Sequence, residues 1–148
     1  VDFSLNQLWT LQGAFDEAET LENGYTLAAI VWKESSAGVN LYRSDSEEWD
    51  MKSYGPFQIL MRTAASRRGC DSPRTCRKVK TKLLKDFKFS AALAKEELIY
   101  WENRLGNKHN AIAAYNAGKS WRYNQGQQYL KDILKKAKYL KHCVRFTR

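Results

Sequence analysis

The chain has 148 residues, 43% of them hydrophobic and 28% charged, and carries a net charge of +9. That length fits one domain with a core of useful size, the composition is that of a soluble globular protein, and no apolar run reaches the ~20 residues that a membrane span needs. The basic balance points to polyanionic surroundings such as nucleic acid, anionic lipid or a bacterial wall, but the densest basic stretch, Arg67 to Lys88, lacks interleaved aromatics and any nucleic-acid motif, which argues against nucleic acid as the main partner.

Phe3 to Phe15 predicts a first amphipathic helix with Leu5, Leu8, Trp9 and Gln12 on its inner side. Asn23-Gly24 then reads as a break, with Asn23 as the cap of a second helix that ends near Gly38. Val39 to Tyr54 has no helical period; it is a long connection with room for a short β-hairpin. Gly55-Pro56 marks a turn, and Phe57 to Leu60 leads into a helix reaching about Arg68. Gly69 to Thr75 is a loop. After the basic residues, a long helix runs from about Phe89 to Leu105, with Ala91, Ala94, Leu98, Trp101 and Leu105 facing inward. His109 to Ala117 is apolar enough to be a buried helix closed by Gly118. A polar stretch from Lys119 to Gln128 precedes a last helix whose inner stripe is Leu130, Ile133, Leu134, Ala137 and Lys141. With no repeats or linkers, residues 1–148 form a single, mainly α domain of six or seven helices.

Cys70 and Cys76 are spaced to close a small disulfide in an oxidising compartment or to remain plain thiols. A zinc site drawn from Cys70, Cys76, Cys143 and His142 lacks the short C-x-x-C spacing of structural sites. No signal-peptide pattern lies in these residues, and a start at Val1 rather than Met is compatible with a removed leader or upstream segment.

The chemistry-bearing position is on the second helix. Leu27, Ile30, Val31 and Glu34 fall at i, i+3, i+4 and i+7, so a carboxylate sits where an apolar face continues. A carboxyl kept half-buried and unpaired has a raised pKa, which suits a proton donor. A Glu turned to solvent at a helix end, or paired with a basic residue, fits the same pattern. Other chemistries lack their signatures: there is no G-x-S-x-G elbow, no phosphate-binding Gly loop, and neither His109 nor His142 has an H-E-x-x-H context. Carboxylate acid–base work remains, as in glycoside cleavage.

Glu34-Ser35, Gly55-Pro56-Phe57-Gln58-Ile59 with Thr63-Ala64, Ala113-Ala114-Tyr115-Asn116-Ala117-Gly118 and Tyr129-Leu130 occur in the order seen in lytic transglycosylases. From about Leu27 to Leu140 the chain resembles the soluble lytic transglycosylase and goose-type lysozyme superfamily. The resemblance implies a lysozyme-like α domain with a groove for a peptidoglycan glycan strand and cleavage of the MurNAc-β-1,4-GlcNAc bond. It implies that Glu34 protonates the leaving oxygen and then, as a carboxylate, deprotonates the muramyl C6 hydroxyl, giving a 1,6-anhydro product with neither metal nor cofactor. By motif, Ser35 and Gln58 shape the groove around Glu34, Tyr115 and Asn116 line it near the muramyl residue, and Tyr129 brings its hydroxyl near Glu34. It implies a monomer without membrane insertion that acts on the wall. The setting is the periplasm or cell exterior, or delivery as a phage endolysin or virion-associated lysin.

Three departures from the family pattern matter. Pro56-Phe57 replaces the usual Leu-Met before the Gln, which reshapes the groove floor. The stretch between Glu34 and Gly55 is long, and Ser44, Ser46 or Ser53 stands where a serine often bonds the catalytic Glu. The acidic loop leans toward goose-type lysozymes, in which Asp45 or Asp50 would hold a water and make the enzyme a hydrolytic muramidase, although Leu60 stands in the area of the second expected aspartate. A non-catalytic wall-binding domain is the remaining alternative.

Overall fold

A computed structural model describes residues 1–43 and 46–148; Ser44 and Asp45 lie outside the described residues. Among the described residues there are seven α-helices and three short strands, so the chain is mainly helical, as its periodicity predicts. Among the described residues no helix is long and apolar enough to cross a membrane.

Helix α1 (Leu5–Asp16) starts at a capping box in which the Ser4 side chain accepts from the Gln7 backbone and the Gln7 side chain accepts from the Ser4 backbone. It buries Leu11, Ala14 and Phe15. The face expected from sequence is corrected: Leu5 and Trp9 are 63% and 66% exposed. The helix carries two apolar stripes, and the one with Phe15 wins because Phe15 packs edge-on against Tyr25 and stacks on Phe146 at 4.8 Å.

Helix α2 (Leu21–Ser35) begins earlier than its Asn-Gly pair suggests. Thr20 is the N-cap, accepting from the Asn23 backbone, so Asn23 is inside the helix rather than capping it. Gly24 serves close packing here, because a Cβ at that position would lie 2.7 Å from the Phe15 ring. Leu27 through Val31 are all 1% exposed or less, making α2 the buried spine of the domain. The helix stops where Ser36, Ala37 and Gly38 take positive φ in succession.

In place of a single hairpin, three antiparallel strands follow in the order β1 (Tyr42–Arg43), β2 (Ser53–Tyr54) and β3 (Ile59–Leu60). Tyr54 pairs with both Tyr42 and Ile59. The turn between β2 and β3 is tight, with Gly55 at φ 88 and Gln58 at φ 50. It delivers the chain into α3 (Met61–Arg68), which Gly69 closes.

Cys70 and Cys76 are joined in a disulfide. The zinc arrangement is thereby overturned, since two of its ligands are bonded to each other while Cys143 is exposed. The basic stretch contains a helix that periodicity did not reveal, α4 (Arg77–Lys85), which buries only Leu83. Helix α5 (Phe87–Leu105) starts two residues earlier than expected because the Asp86 side chain accepts from the Phe89 backbone and caps it. Asn107 caps α6 (Lys108–Ala117) in the same way. Helix α7 (Asn124–Cys143) begins inside the polar stretch, and its buried positions are Gly126, Tyr129, Ile133 and Leu140. Leu134 and Lys141, expected inside, are exposed. Residues 144–148 return to α1, where Gln12 and Thr147 exchange two hydrogen bonds.

Candidate active site

A cleft of about 480 Å³ opens between the sheet and the helical wall. Glu34 enters it from the last turn of α2, Arg43 and Ser53 from β1 and β2, and Gln58 to Leu60 from the tight turn and β3. Thr63 comes from α3, Glu97 and Trp101 from α5, and the segment Ala114 to Gly118 from the end of α6.

Glu34 is half-buried. Burial raises its pKa above the ordinary 4.5; the Tyr129 hydroxyl and the charges of Arg43 and Lys33 oppose this without reversing it. Lys33 is itself tied to Asp132 at 2.7 Å, and Asp132 also holds Lys136, so the neighbouring cation is partly neutralised. A carboxyl in this position holds its proton longer than one in water and can donate it to a basic oxygen.

Two tyrosines stand behind the carboxyl. Tyr115 and Tyr129 stack with centroids 6.5 Å apart. The Tyr115 hydroxyl donates to the Phe57 carbonyl at 2.8 Å. The Tyr129 hydroxyl is buried and faces Glu34 closely enough to lower its pKa, although no well-aligned acceptor or donor meets it among the described residues. Burial first, and the Glu34 charge second, push both phenols well above their ordinary pKa of 10. They remain donors throughout the neutral range, so Tyr129 is placed to bond the carboxylate once Glu34 has lost its proton.

Gln58 is 8% exposed. Its amide nitrogen donates to the Leu41 and Gly55 carbonyls at 3.2 and 3.0 Å, while its Oε1 is buried without a partner among the described residues. A left-handed backbone at a non-glycine residue costs roughly 1 kcal/mol or more. This strain, together with the orphaned acceptor, leaves Gln58 with unmet hydrogen-bonding capacity at the cleft wall.

The other predicted residues divide. Asn116 lines the cleft and its Oδ1 accepts from Gln125 at 3.0 Å. Ser35 does not face the cleft: it is 1% exposed, and its hydroxyl donates to Val31 O and accepts from Gly38 N, fastening the end of α2. Asp50 is ion-paired with Arg62 at 3.1 Å and is not part of the cleft wall. Of the three serines, Ser53 lines the cleft, Ser46 accepts from the Glu48 backbone, and Ser44 lies outside the described residues, as does Asp45.

Sequence reasoning missed Arg43, Glu97 and, as a cleft residue, Trp101. Glu97 and Trp101 are one helical turn apart on α5, a spacing that was visible, but Trp101 reads equally well as core. His109 and His142, unremarkable in sequence, border a second and more apolar cavity of about 660 Å³, which lies beside the N-terminal turns of α2 and α6 and away from Glu34.

No family model matches the chain, and no solved structure matches it. It is 36% identical over 121 residues to the uncharacterized 20.7 kDa protein in the vs-regB intergenic region of Enterobacteria phage T4. The match takes in 80% of this chain and 63% of the relative, so the chain spans less than two thirds of the curated relative's length.

Proposed function

We propose that the chain is a peptidoglycan lytic transglycosylase with a lysozyme-like fold. One observation carries the reading: Glu34 lies in a glycan-sized cleft with its pKa raised by burial. The ordered family motifs support it, since Gln58, Tyr115 and Asn116 line the same cleft as Glu34 and Tyr129 faces its carboxyl.

In this reading Glu34 gives its proton to the glycosidic oxygen as the bond from C1 of MurNAc to that oxygen breaks, releasing the 4-hydroxyl of GlcNAc. The C6 hydroxyl of the same muramyl residue then attacks C1, and its proton returns to the Glu34 carboxylate. A 1,6-anhydro ring forms, no water is consumed, and Glu34 ends protonated. Tyr129 steadies the carboxylate between the two steps by donating to it. Gln58 Oε1 accepts from a sugar amide or hydroxyl. The net positive charge favours encounter with the anionic wall and fades in effect with salt.

Among the settings considered, similarity to a phage protein fits a phage-encoded lysin. The hydrolytic alternative is favoured by a different feature from the one expected in sequence: the described second carboxylate of the cleft is Glu97, whereas Asp50 is engaged by Arg62. Mass spectrometry of digested sacculi decides between them. The transglycosylase yields 1,6-anhydro muropeptides; reducing ends would instead make the protein a muramidase. Sacculus binding without product would leave only a wall-binding domain.

A further inference from the structure

We infer that Trp101 and Glu97 on α5 form a sugar-binding subsite on the cleft wall, with Trp101 stacking on a pyranose ring and Glu97 accepting from its hydroxyls. This rests on the glycan-cleaving reading and names where that substrate is gripped away from Glu34.

The two side chains are separated by one helical turn, so they share a face of α5, and both line the cleft that holds Glu34. Glu97 is 18% exposed at its side chain. Arg67 donates to it from Nε and from a terminal nitrogen, and both bonds go to the same oxygen, Oε1. The other oxygen, Oε2, has no protein donor among the described residues. Arg67 also lies over the Tyr100 ring at 5.6 Å, and Tyr100 packs edge-on against Trp101 at 5.1 Å. The four side chains thus brace one another, holding an indole and a carboxylate acceptor in fixed relation.

That pairing suits a carbohydrate. A pyranose presents an apolar C–H face, which an aromatic ring covers, and an equatorial rim of hydroxyl donors, which a carboxylate accepts. Arg67 blocks one Glu97 oxygen and supplies the countercharge, so the free oxygen is suited to neutral donors more than to a second cation. Oε2 is not a buried, unpartnered atom, so it is open to solvent and to a ligand alike.

The test uses the full chain carrying Glu34→Gln, titrated with a soluble β-1,4-linked N-acetylglucosamine oligomer. Adding Trp101→Ala or Glu97→Gln should weaken binding about tenfold, and Trp101→Phe should recover most of the loss. In the parent enzyme, digestion of sacculi should show Trp101→Ala raising KM by a similar factor while kcat moves far less. Thermal melts check folding; if Trp101→Ala does not fold, Trp101→Phe and the near-isosteric Glu97→Gln carry the decision. Binding and KM unchanged in these variants would overturn the subsite. If the unsubstituted chain neither binds nor cleaves sacculi, the glycan reading itself falls and the subsite falls with it, a result read before any Trp101 variant is made.

Discussion

Gly55 provides a controlled test of how the turn holds the site. Its φ is 88, and a Cβ there would lie 2.1 Å from the Leu83 carbonyl oxygen. That carbonyl cannot easily move, because it lies in the last turn of α4 and already accepts from the buried Ser90 hydroxyl at 2.7 Å. Gly55→Ala therefore combines left-handed strain of about 1–2 kcal/mol with an overlap costing about 1–3 kcal/mol. For a chain of this length ~1 kcal/mol lowers Tm by roughly 2–4 °C, so the expected drop is about 4–20 °C. Gly69 is the control: its φ is 75 but nothing lies within 4 Å of its Cβ position, so Gly69→Ala should lose only the strain, about 2–8 °C. The Gly55 carbonyl also accepts from the Gln58 backbone at 3.0 Å and from its side chain. Turnover of sacculi by the folded Gly55→Ala protein should thus fall, whereas Gly69→Ala keeps it. Melts by circular dichroism and turbidity loss of sacculi read both quantities. Equal Tm losses in the two variants would refute the steric part, and wild-type turnover in Gly55→Ala would refute the link to Gln58.

Further outcomes follow from the same geometry. Glu34→Gln should lower turnover by ~10²-fold or more, the usual range for a lost general acid, with the fold retained. Because burial raises the Glu34 pKa, the folded chain keeps a proton that the unfolded chain has released. This contribution to stability is present below the unfolded value of 4.5 and is lost as pH rises through the higher folded pKa. Glu34→Gln removes that loss, so its Tm should exceed wild type at neutral pH and the gap should close on acidification; a gap independent of pH would contradict the desolvated carboxyl. Tyr129→Phe removes a group that lowers the Glu34 pKa, so the alkaline limb of kcat/KM should move upward, and an unmoved or lowered limb would count against their contact. Replacing Cys70 and Cys76 by serine opens a short loop and should cost about 2 kcal/mol of stability by loop-closure entropy, read from denaturant melts; no loss would show that the loop is held without the bond.

Periodicity carried the mainly helical architecture. The face of α2 was plain in Leu27, Ile30, Val31 and Glu34, because a buried spine tolerates few alternatives to large apolar residues. Gln58, Tyr115, Asn116 and Tyr129 entered through the order of the family motifs, and only Gln58 and Asn116 also because polar groups at otherwise apolar positions need a reason. What stayed hidden depended on tertiary contacts. Gly24 looks like a break until Phe15 is seen resting on it. Helix α4 sets five cations against Val79, Leu83 and Leu84, and its charge masked an apolar stripe that buries only Leu83. Ser35 neighbours the acid in sequence, yet helix geometry turns its hydroxyl to the backbone. Glu97 could not be assigned to the cleft from α5 alone, because its meaning lies in how Arg67 from α3 grips one oxygen and leaves the other.

The seam between α1 and residues 144–148 has a temporal consequence. Gln12 bonds Thr147, and Phe15 is covered by Phe146 across more than a hundred residues of chain. During synthesis, which adds roughly 5–20 residues per second, one side of the Phe15 ring waits several seconds for its cover. Helix α1 therefore stays adhesive until that segment has been made, and a ribosome paused before residue 146 would present the helices already made with one aromatic seam still open to wrong partners.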